Sequence, residues 1–323
     1  MRFDVISIGS ATLDVFLESK ELKLLKTPKV FTGRALIAPY GAKSEVSRLL
    51  IQSGGGGTNT AVGFSRLGLR AGVLARCGRD LAGQIVRTQL RQEGVSRNLL
   101  IQVKGDETDY STILQGPDGG RSILVYRGGT RLEIDLIDFS KLKASWFYIS
   151  SLEGNLAFLK KVLDHAGRYG IQTAINPGRK ELAQRKELIP LLNRAEVVII
   201  NQEEAARLTG LEMTDKRLLP KTCALVKEVG VVTQAQKGAQ LFTRDDQWLT
   251  TPAFKIKAKD TTGAGDGFGV GFVAGLMMGW PLSKALKLGV ANGASVVTKM
   301  GAKTGLLTLR EAQKWIKRPI GKS

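Results

Sequence analysis

The sequence predicts an α/β fold with a doubly wound, mainly parallel β-sheet and a small β lid. Three observations support this fold class. Short apolar runs of strand length alternate with amphipathic runs of helix length, a pattern typical of βαβ units. Two segments with strand-like runs and turn residues interrupt that alternation. The 323 residues, 43% of them hydrophobic, are enough for one large core with a smaller appended unit.

Six apolar runs are the predicted strands of the sheet. They are VISIG (5–9), AGVLARCG (71–78), ASWFYIS (144–150), IQTAIN (171–176), AEVVIIN (195–201) and VGVVTQ (229–234). Helical patterns follow several of them, as in NTAVGFSRLG, NLAFLKKVLDHAGRYG and NQEEAARLTG. The weakly polar run at 267–280 ends at Pro281 and is too short to span a bilayer, so we interpret it as a buried helix.

The two interrupting segments are residues 15–50 and 105–127. Both contain strand-like runs, and the second carries the turn signal PDGG. We predict that they fold as hairpins and form the lid. The α/β core then comprises residues 1–14, 51–104 and 128–323.

The composition limits the classes of ligand and metal site. Lys and Arg number 48 against 29 Asp and Glu, a net charge of +19 that favours anionic partners without choosing among nucleotides, sugar phosphates, nucleic acid and anionic membranes. Two cysteines, Cys77 and Cys223, make no disulfide framework, and a lone His165 leaves no His/Cys metal cluster. The N-terminal stretch lacks a signal-peptide pattern, which predicts a cytoplasmic protein.

Polar residues mark several predicted strand ends, where open parallel sheets bind their ligands. They are Asp14 after the first strand, SGGGGTN (53–59), NQEE (201–204) and DTTGAGDGF (260–268). Because the last stretch opens an apolar helix, its free N–H groups can cradle a phosphate. An aspartate there would be repelled by that phosphate, so Asp266 makes sense as a base that takes a proton from an attacking hydroxyl. The alternative is that Asp266 is only a helix-start residue.

Two other phosphate-binding patterns are chance matches. The GKS at 321–323 lacks the upstream glycine and the following helix of a P-loop. The run GVGFVA at 269–274 matches a dinucleotide fingerprint but lies inside the predicted helix.

The two glycine-rich stretches carry a family resemblance. DTTGAGDGFGVGFVAGL (260–276) resembles the C-terminal signature of the ribokinase-like (PfkB) carbohydrate kinases, and GGGGTNTAVGFSRLG (54–68) resembles their N-terminal one. NQEE resembles the family's Asn-x-x-Glu element, and the likeness covers essentially the whole chain. It implies a ribokinase-like α/β core that binds nucleotide and substrate, a β lid, and Mg²⁺-dependent transfer of the ATP γ-phosphoryl group to a hydroxyl.

The resemblance also implies the roles of the residues around the reaction. It makes Asp266 the catalytic base and the N–H groups of Gly263, Ala264 and Gly265 the anion hole for the transferring phosphoryl group. The residues expected to bind the acceptor are Asp14, Gly55, Gly56, Asn59 and Glu153. Alternatives stay open for three of these features: Asn59 as a helix N-cap, the glycines as a tight turn, and Glu153 as a solvated loop residue.

A second group of residues is implied for the nucleotide and the cations. It consists of Asn201, Glu204, Thr233, Gly238 and Asn292, with Asp260 and Thr262 at a monovalent-cation site that suits K⁺. Glu204 is expected to organise Mg²⁺ through water. The alternative for Asn201 and Glu204 is a helix cap with a first-turn acid. A glycine common in the family's nucleotide loop is replaced by Ala235 or a neighbour.

The acceptor is less well defined than the chemistry. A sugar of the ribose or fructose type is the first choice, because the signatures lie close to the ribokinase-like form and aromatic residues are few. A nucleoside is the second, since Phe16, Phe31 and Tyr40 can stack on a base. A sugar phosphate stays open, with Arg127 or Lys43 as its partner.

The other partners follow from the same reading. No recognition motif supports nucleic-acid binding and the basic residues are scattered, so we expect neither a nucleic-acid nor a membrane partner. A homodimer formed through the lid stays open.

Overall fold

The computed structural model describes residues 2–30, 32–226 and 228–320. Its strands are β1 (Phe3–Ile8), β2 (Thr12–Glu18), β3 (Lys23–Lys26), β4 (Arg34–Ile37), β5 (Arg48–Gly54), β6 (Ala71–Gly78), β7 (Leu100–Val103), β8 (Asp109–Gln115), β9 (Arg121–Tyr126), β10 (Ala144–Ile149), β11 (Gln172–Ile175), β12 (Val197–Asn201), β13 (Val229–Thr233), β14 (Ala239–Thr243) and β15 (Trp248–Thr251). Its α-helices are α1 (Gly56–Arg66), α2 (Leu81–Gln92), α3 (Leu156–Tyr169), α4 (Arg179–Leu182), α5 (Arg185–Leu192), α6 (Gln202–Thr209), α7 (Leu218–Cys223), α8 (Ala264–Met277), α9 (Leu282–Val297) and α10 (Leu309–Trp315).

A nine-stranded sheet forms the centre of the molecule. Its order is β15-β14-β13-β12-β11-β10-β1-β6-β7. The strands from β13 to β7 pair in parallel, whereas β14 and β15 add an antiparallel edge. The predicted doubly wound, mainly parallel sheet is confirmed, and its six predicted strands are β1, β6, β10, β11, β12 and β13. The antiparallel edge was not predicted.

Alternating side chains of the central strands give the sheet two buried faces. On β1, Ile6 and Ile8 pack in a cluster that contains Phe158 of α3, whereas Val5 packs in a cluster with Phe64 of α1 and residues of α8 and α9. Because successive strand residues point to opposite faces, one apolar strand supplies both cores. Helices therefore cover both faces of the sheet.

The helix α8 is the buried helix that the sequence predicts. Its glycines allow close packing on α9, because a Cβ added at Gly271 would lie 2.6 Å from the carbonyl oxygen of Leu288, and one at Gly275 would lie 2.8 Å from Cα of Ala285. Helix packing therefore explains the glycine at position 271 of the GVGFVA run, and no bound dinucleotide is needed to explain it. Within the three described ranges, no helix has the length and apolar character needed to cross a bilayer.

A second sheet of four strands, in the order β5-β2-β8-β9, lies beside the first, with β3 and β4 as a separate hairpin. The β8–β9 turn is closed by a hydrogen bond from Gly116 N to Gly120 O, at the predicted PDGG signal. The first of the two predicted segments, 15–50, extends in the structure from Thr12 at the start of β2 to Gly54 at the end of β5. The sequence predicts Asp14 at a junction between a strand and a helix. In the structure, Asp14 lies within β2 instead.

Candidate active site

The glycine-rich turn before α8 leaves backbone donors exposed. Gly263 is the N-cap residue at φ 76°, and a Cβ there would lie 2.6 Å from Cβ of Ala302, so glycine is required. Among the described residues, the N–H groups of Gly263 and Gly265 have no acceptor, and that of Ala264 has only a 3.4 Å contact with the carbonyl of Thr261. The turn can therefore donate to an anion.

Asp266 lies in the first turn of α8, beside these donors. Its Oδ2 accepts a 2.8 Å hydrogen bond from Nδ2 of Asn59, on α1. Its Oδ1 has no hydrogen-bond donor among the described residues and faces Gly56, whose added Cβ would be 3.7 Å away. Burial raises the pKa of Asp266 to about 6, against the lowering effects of Asn59 and Lys303. The carboxylate is thus held by one oxygen and open at the other.

Asp14 lies against the glycine run at the start of α1, and its charge acts on Asp266. Asp14 is 7% exposed, and its Oδ1 accepts from Oγ1 of Thr12 at 2.8 Å. A Cβ at Gly54 would lie 1.9 Å from Oδ2 of Asp14, and Gly55 has φ 86°, so the run lets the carboxylate and the backbone approach closely. Burial is the main cause that raises the pKa of Asp14. The structure thus brings Asp14, Asn59 and Asp266 together.

Lys303 is a site residue that sequence reasoning missed. It lies between α9 and α10 and is 5% exposed, and its Nζ donates to the carbonyl of Ser53 and, at 2.9 Å, to Oγ1 of Thr58. Burial lowers the pKa of Lys303 to about 7, whereas Asp14 and Asp266 act to raise it. No motif or periodicity marks this lysine in the sequence. Its only signal is a charged residue within residues 300–307, which are otherwise apolar or small.

Glu153 pairs with a residue at the end of the second sheet, and its own loop is held by hydrogen bonds to a buried carboxylate. Its carboxylate pairs with Nη1 of Arg127 at 2.9 Å and with Nζ of Lys180 at 3.2 Å, and Arg127 also pairs with Asp109 at 2.7 Å. The buried carboxylate of Glu181 holds the loop by accepting from the N–H groups on both sides of Glu153, each at 2.7 Å. Glu153 is therefore not a solvated loop residue.

Asn201 and Glu204 form a capping box at the start of α6. Oδ1 of Asn201 accepts from the N–H of Glu204, and Oε2 of Glu204 accepts from the N–H of Asn201, both at 2.8 Å. Burial raises the pKa of Glu204. Burial raises the pKa of Tyr148, and the charges of Asp266 and Glu204 add to that effect.

The residues expected to form the nucleotide loop lie at the end of β13 and between β13 and β14. Thr233 ends β13, and Gly238 has φ 99° with room for no Cβ, since one would lie 2.0 Å from the carbonyl of Thr251. Ala235 adopts φ 48°, in the left-handed region that favours glycine.

Asn292 has a different position from the one expected. It is 0% exposed, its Nδ2 donates to the carbonyl of Gly267 at 2.7 Å, and its Oδ1 accepts from the N–H of Leu307 at 2.9 Å. A fully buried amide with both ends bound to backbone has no contact to offer a nucleotide. This corrects its assignment as a nucleotide-binding residue: Asn292 joins α9 to α8.

Asp260 and Thr262 contact each other and the segment after α9. Asp260 is 1% exposed, its Oδ1 accepts from the N–H and Oγ1 of Thr262, and its Oδ2 accepts from the N–H of Gly301 at 2.9 Å. In the part of the chain that the structure describes, no group of three or more His, Cys, Asp and Glu residues is arranged to hold a metal ion.

Neither of the two candidate aromatic residues that the structure describes, Phe16 and Tyr40, lines this site. Phe16 is fully buried with Ile113 and Met300, Tyr40 is fully exposed, and Phe31 lies outside the described residues. The expectation that Phe16 stacks on a base is therefore wrong. Lys43 is exposed, and the GKS match also lies outside the described residues.

The fold is α/β, and the start of α8 places free N–H groups beside a carboxylate that is open at one oxygen, an arrangement that suits phosphoryl transfer. The model of the pfkB family carbohydrate kinases matches residues 4–309, so the chain belongs to that family of ATP-dependent kinases.

Individual relatives agree with this family. The chain is 26% identical over 273 residues to ribokinase from Haemophilus influenzae, covering 82% of this chain and 88% of that one. It is 29% identical over 291 residues to probable fructokinase-4 from Arabidopsis thaliana, covering 82% and 87%. The solved structure of Arabidopsis thaliana ribokinase complexed with ribose and ATP superposes with a TM-score of 0.79 at 20% identity, covering 99% of this chain and 100% of that one. The last comparison confirms the ribokinase-like fold.

Proposed function

We propose that this ATP-dependent sugar kinase uses Asp266 as its base and phosphorylates a neutral sugar of the ribose or fructose type. One observation carries the proposal. The open Oδ1 of Asp266 lies on the same turn as the N–H groups of Gly263 and Gly265, which have no acceptor among the described residues. A base and an anion hole on the same turn are what transfer to a hydroxyl requires. Asp14 and Asn59 lie next to it as partners for further hydroxyls.

The reaction then proceeds by in-line displacement. Oδ1 of Asp266 takes the proton of the acceptor hydroxyl as its oxygen bonds to the γ-phosphorus, and the bond from that phosphorus to the β–γ bridging oxygen breaks. The N–H groups of Gly263, Ala264 and Gly265 stabilise the negative charge on the transferring group. Asn59 keeps the other carboxylate oxygen occupied, which aims Oδ1 at the acceptor.

The surroundings favour an acceptor without a phosphate. Arg127 and Lys303 are the cations that act on Asp14, and both already have partners. Arg127 pairs with Asp109 and Glu153, and Lys303 donates to the carbonyl of Ser53 and to Thr58. A phosphate would have to compete with these partners, so a sugar phosphate ranks below a neutral sugar. The nucleoside alternative loses one of its three candidate stacking residues with the burial of Phe16.

We propose ATP and Mg²⁺ as cofactors. K⁺ is proposed as well, although the residues at its expected site fit the ion less well than Glu204 fits Mg²⁺. Glu204 fits Mg²⁺, because its partly buried carboxylate can hold the ion's water shell, and Asn201 fixes its direction. When bound, Mg²⁺ neutralises charge on the phosphate oxygens. Both oxygens of Asp260 already accept hydrogen bonds, so a K⁺ ion near Asp260 and Thr262 would add to a satisfied carboxylate.

Thr233 and Gly238 are proposed to contact the nucleotide through the loop before β14. We also propose a cytoplasmic location. A homodimer formed through the lid is proposed because the second sheet exposes large apolar side chains, among them Leu49, Leu124 and Tyr126 at 57%, 63% and 52%. A monomeric sedimentation coefficient at micromolar concentration would contradict the dimer.

An ADP-release screen over pentoses, hexoses, hexose phosphates and nucleosides tests the acceptor. We expect release above the ATP-only rate with an unphosphorylated pentose or hexose. Release only with a nucleoside or a hexose phosphate would reverse the ranking, and release with no acceptor in the screen would argue against the proposed function.

A further inference from the structure

We propose that Lys303 is a positioning residue with two roles. It holds the turn at residues 53–59, which carries Asn59, in place beside the turn at residues 260–266, which carries Asp266. It also supplies a positive charge that is shared by Asp14 and Asp266. The inference rests on the proposed function, because it gives Asp266 the role of base. It concerns a residue that lies 250 positions from Ser53 along the chain and meets it only through folding.

The contacts of Nζ fix the start of α1. Nζ donates to Oγ1 of Thr58 at 2.9 Å and to the carbonyl of Ser53, and Oγ1 of Thr58 in turn donates to the carbonyl of Gly54 at 2.6 Å. Asn59 follows Thr58 directly and donates to Asp266. One ammonium group therefore anchors the turn that carries the hydrogen bond to the base.

The segment that carries Lys303 is itself anchored. Nη1 of Arg66 donates to the carbonyl of Lys303 at 2.7 Å and to that of Leu306 at 3.1 Å. Arg66 also pairs with Glu93 at 2.6 Å, so its charge is largely balanced. Arg66 thus holds the backbone of Lys303, while Ser53 and Thr58 hold its ammonium group.

Electrostatics gives the ammonium its second role. The charged groups that act on Lys303 are Asp14, Asp266, Glu93 and Arg66. Because Glu93 and Arg66 pair with each other, the two carboxylates of the site are its main partners. Two neighbouring buried carboxylates repel and tend to hold a proton, whereas a cation close to both favours their ionised forms. A base must be ionised, so Lys303 keeps Asp266 ready to accept a proton.

The first test reads the carboxylate directly. Protein labelled with ¹³C at aspartate carboxyl groups is titrated by NMR, with Asp266→Asn to assign the signal. In Lys303→Met the Asp266 midpoint should rise by about one pH unit, a tenfold change in ionisation, and Lys303→Arg should restore most of it. Lys299→Met, which removes an exposed lysine of the same segment, is the matched control and should titrate as wild type.

Kinetics supply a second, separate readout. Lys303→Met should lower kcat about tenfold at pH 5 and far less at pH 8, where Asp266 is ionised in both proteins. A purely structural lysine would lower activity equally at all pH values. If the wild type transfers no phosphoryl group at all, the proposed function fails, while the NMR titration still decides this inference. An unchanged Asp266 midpoint in Lys303→Met overturns it.

Folding of the variants is checked by circular dichroism. Should Lys303→Met fail to fold, Lys303→Gln is read in the same way. Should neither neutral variant fold, the ¹⁵Nζ signal of Lys303 in the wild type decides: an ammonium signal at pH 6 supports the inference, and a neutral amine signal contradicts it.

Discussion

At the scale of single residues, the site combines groups whose charges depend on one another. Asp266 has one oxygen bound by Asn59 and one without a donor among the described residues, so its orientation is fixed and the second oxygen is open to accept a proton. Burial raises the pKa of Asp266 to about 6, and Lys303 and Asn59 oppose that effect. The proposed base therefore gains and loses its proton near neutral pH.

Replacement of the base is the most direct prediction at this scale. Asp266→Asn should fold and bind ATP nearly as the wild type does, because the amide keeps the shape and the contact to Asn59. Its kcat should fall by roughly 10²–10⁴, the usual loss for a general base. Steady-state kinetics with the acceptor found in the screen measure this, and a kcat within a few-fold of wild type would defeat the assignment.

The pH dependence follows from the raised pKa of Asp266. Only the ionised carboxylate accepts a proton, so kcat should be constant above a midpoint near the pKa of about 6 and fall tenfold per unit below it. An aspartate at its ordinary pKa would keep its activity down to about pH 4. A kcat profile still flat at pH 5, measured where the protein stays folded, would show that Asp266 is not the titrating base.

At the scale of elements, the second sheet is joined to the core at identifiable points. Asp109, at the start of β8, accepts from Arg127, from the N–H of Gly128 and from Thr130, which closes the base of the β8–β9 hairpin. The N–H of Thr108 donates to Asp80. Beyond these residues the hairpin contacts the core through Gln115, whose Nε2 donates to the carbonyl of Lys259 at 2.8 Å, and through Arg121, which donates to Oγ1 of Thr261. Its outer strand is largely exposed.

The outer hairpin is predicted to shield the reaction from water. Ser111 and Val125 are paired, so a short Gly/Ser turn can replace residues 112–124 and leave Asp109 and Arg127 in place. This variant should raise the KM for the acceptor and the ratio of ATP hydrolysis to transfer, because solvent then competes for the γ-phosphate.

The control for the hairpin variant changes only residues 117–120 to an equal-length Gly/Ser turn. That variant should keep both values close to wild type. Unchanged KM and hydrolysis in the shortened protein, with a normal circular dichroism spectrum, would mean that the hairpin is not a lid.

At the scale of the whole molecule, the chain carries a net charge of +19. Many basic side chains are exposed, whereas Lys303 is buried and donates to backbone, and Arg127 is paired with carboxylates. The surplus charge therefore belongs to the surface, where it attracts anions in general and ATP among them.

This distribution predicts weak, nonspecific retention of nucleic acid. Binding to duplex DNA or RNA should fall steeply with salt and be minor at physiological ionic strength, because only counterion release drives it. Fluorescence anisotropy over a salt series measures the effect. A specific nucleic acid held at physiological salt, together with no transfer to any small molecule, would favour a nucleic-acid-binding protein instead.

The sequence by itself determined the class of fold and the two glycine-rich turns. Apolar alternation depends on local periodicity, and a helix start that leaves N–H groups open depends on a few adjacent small residues, so both are legible in a single stretch. The predicted strands, the buried helix α8 and the family were confirmed for that reason. The antiparallel edge was missed because β14 and β15 are short and follow the last predicted strand without a helix.

Only the tertiary structure decided which side chains share the site. Lys303 reaches Ser53 and Thr58 through contacts that no local pattern encodes. Asn292 has a polar side chain of the expected type, yet packing between α8, α9 and the backbone at Leu307 buries it completely. Asp14 belongs to the second sheet because β2 pairs with β5 and β8. Burial and pairing across long sequence separations set these environments, and they exist only once the chain has folded.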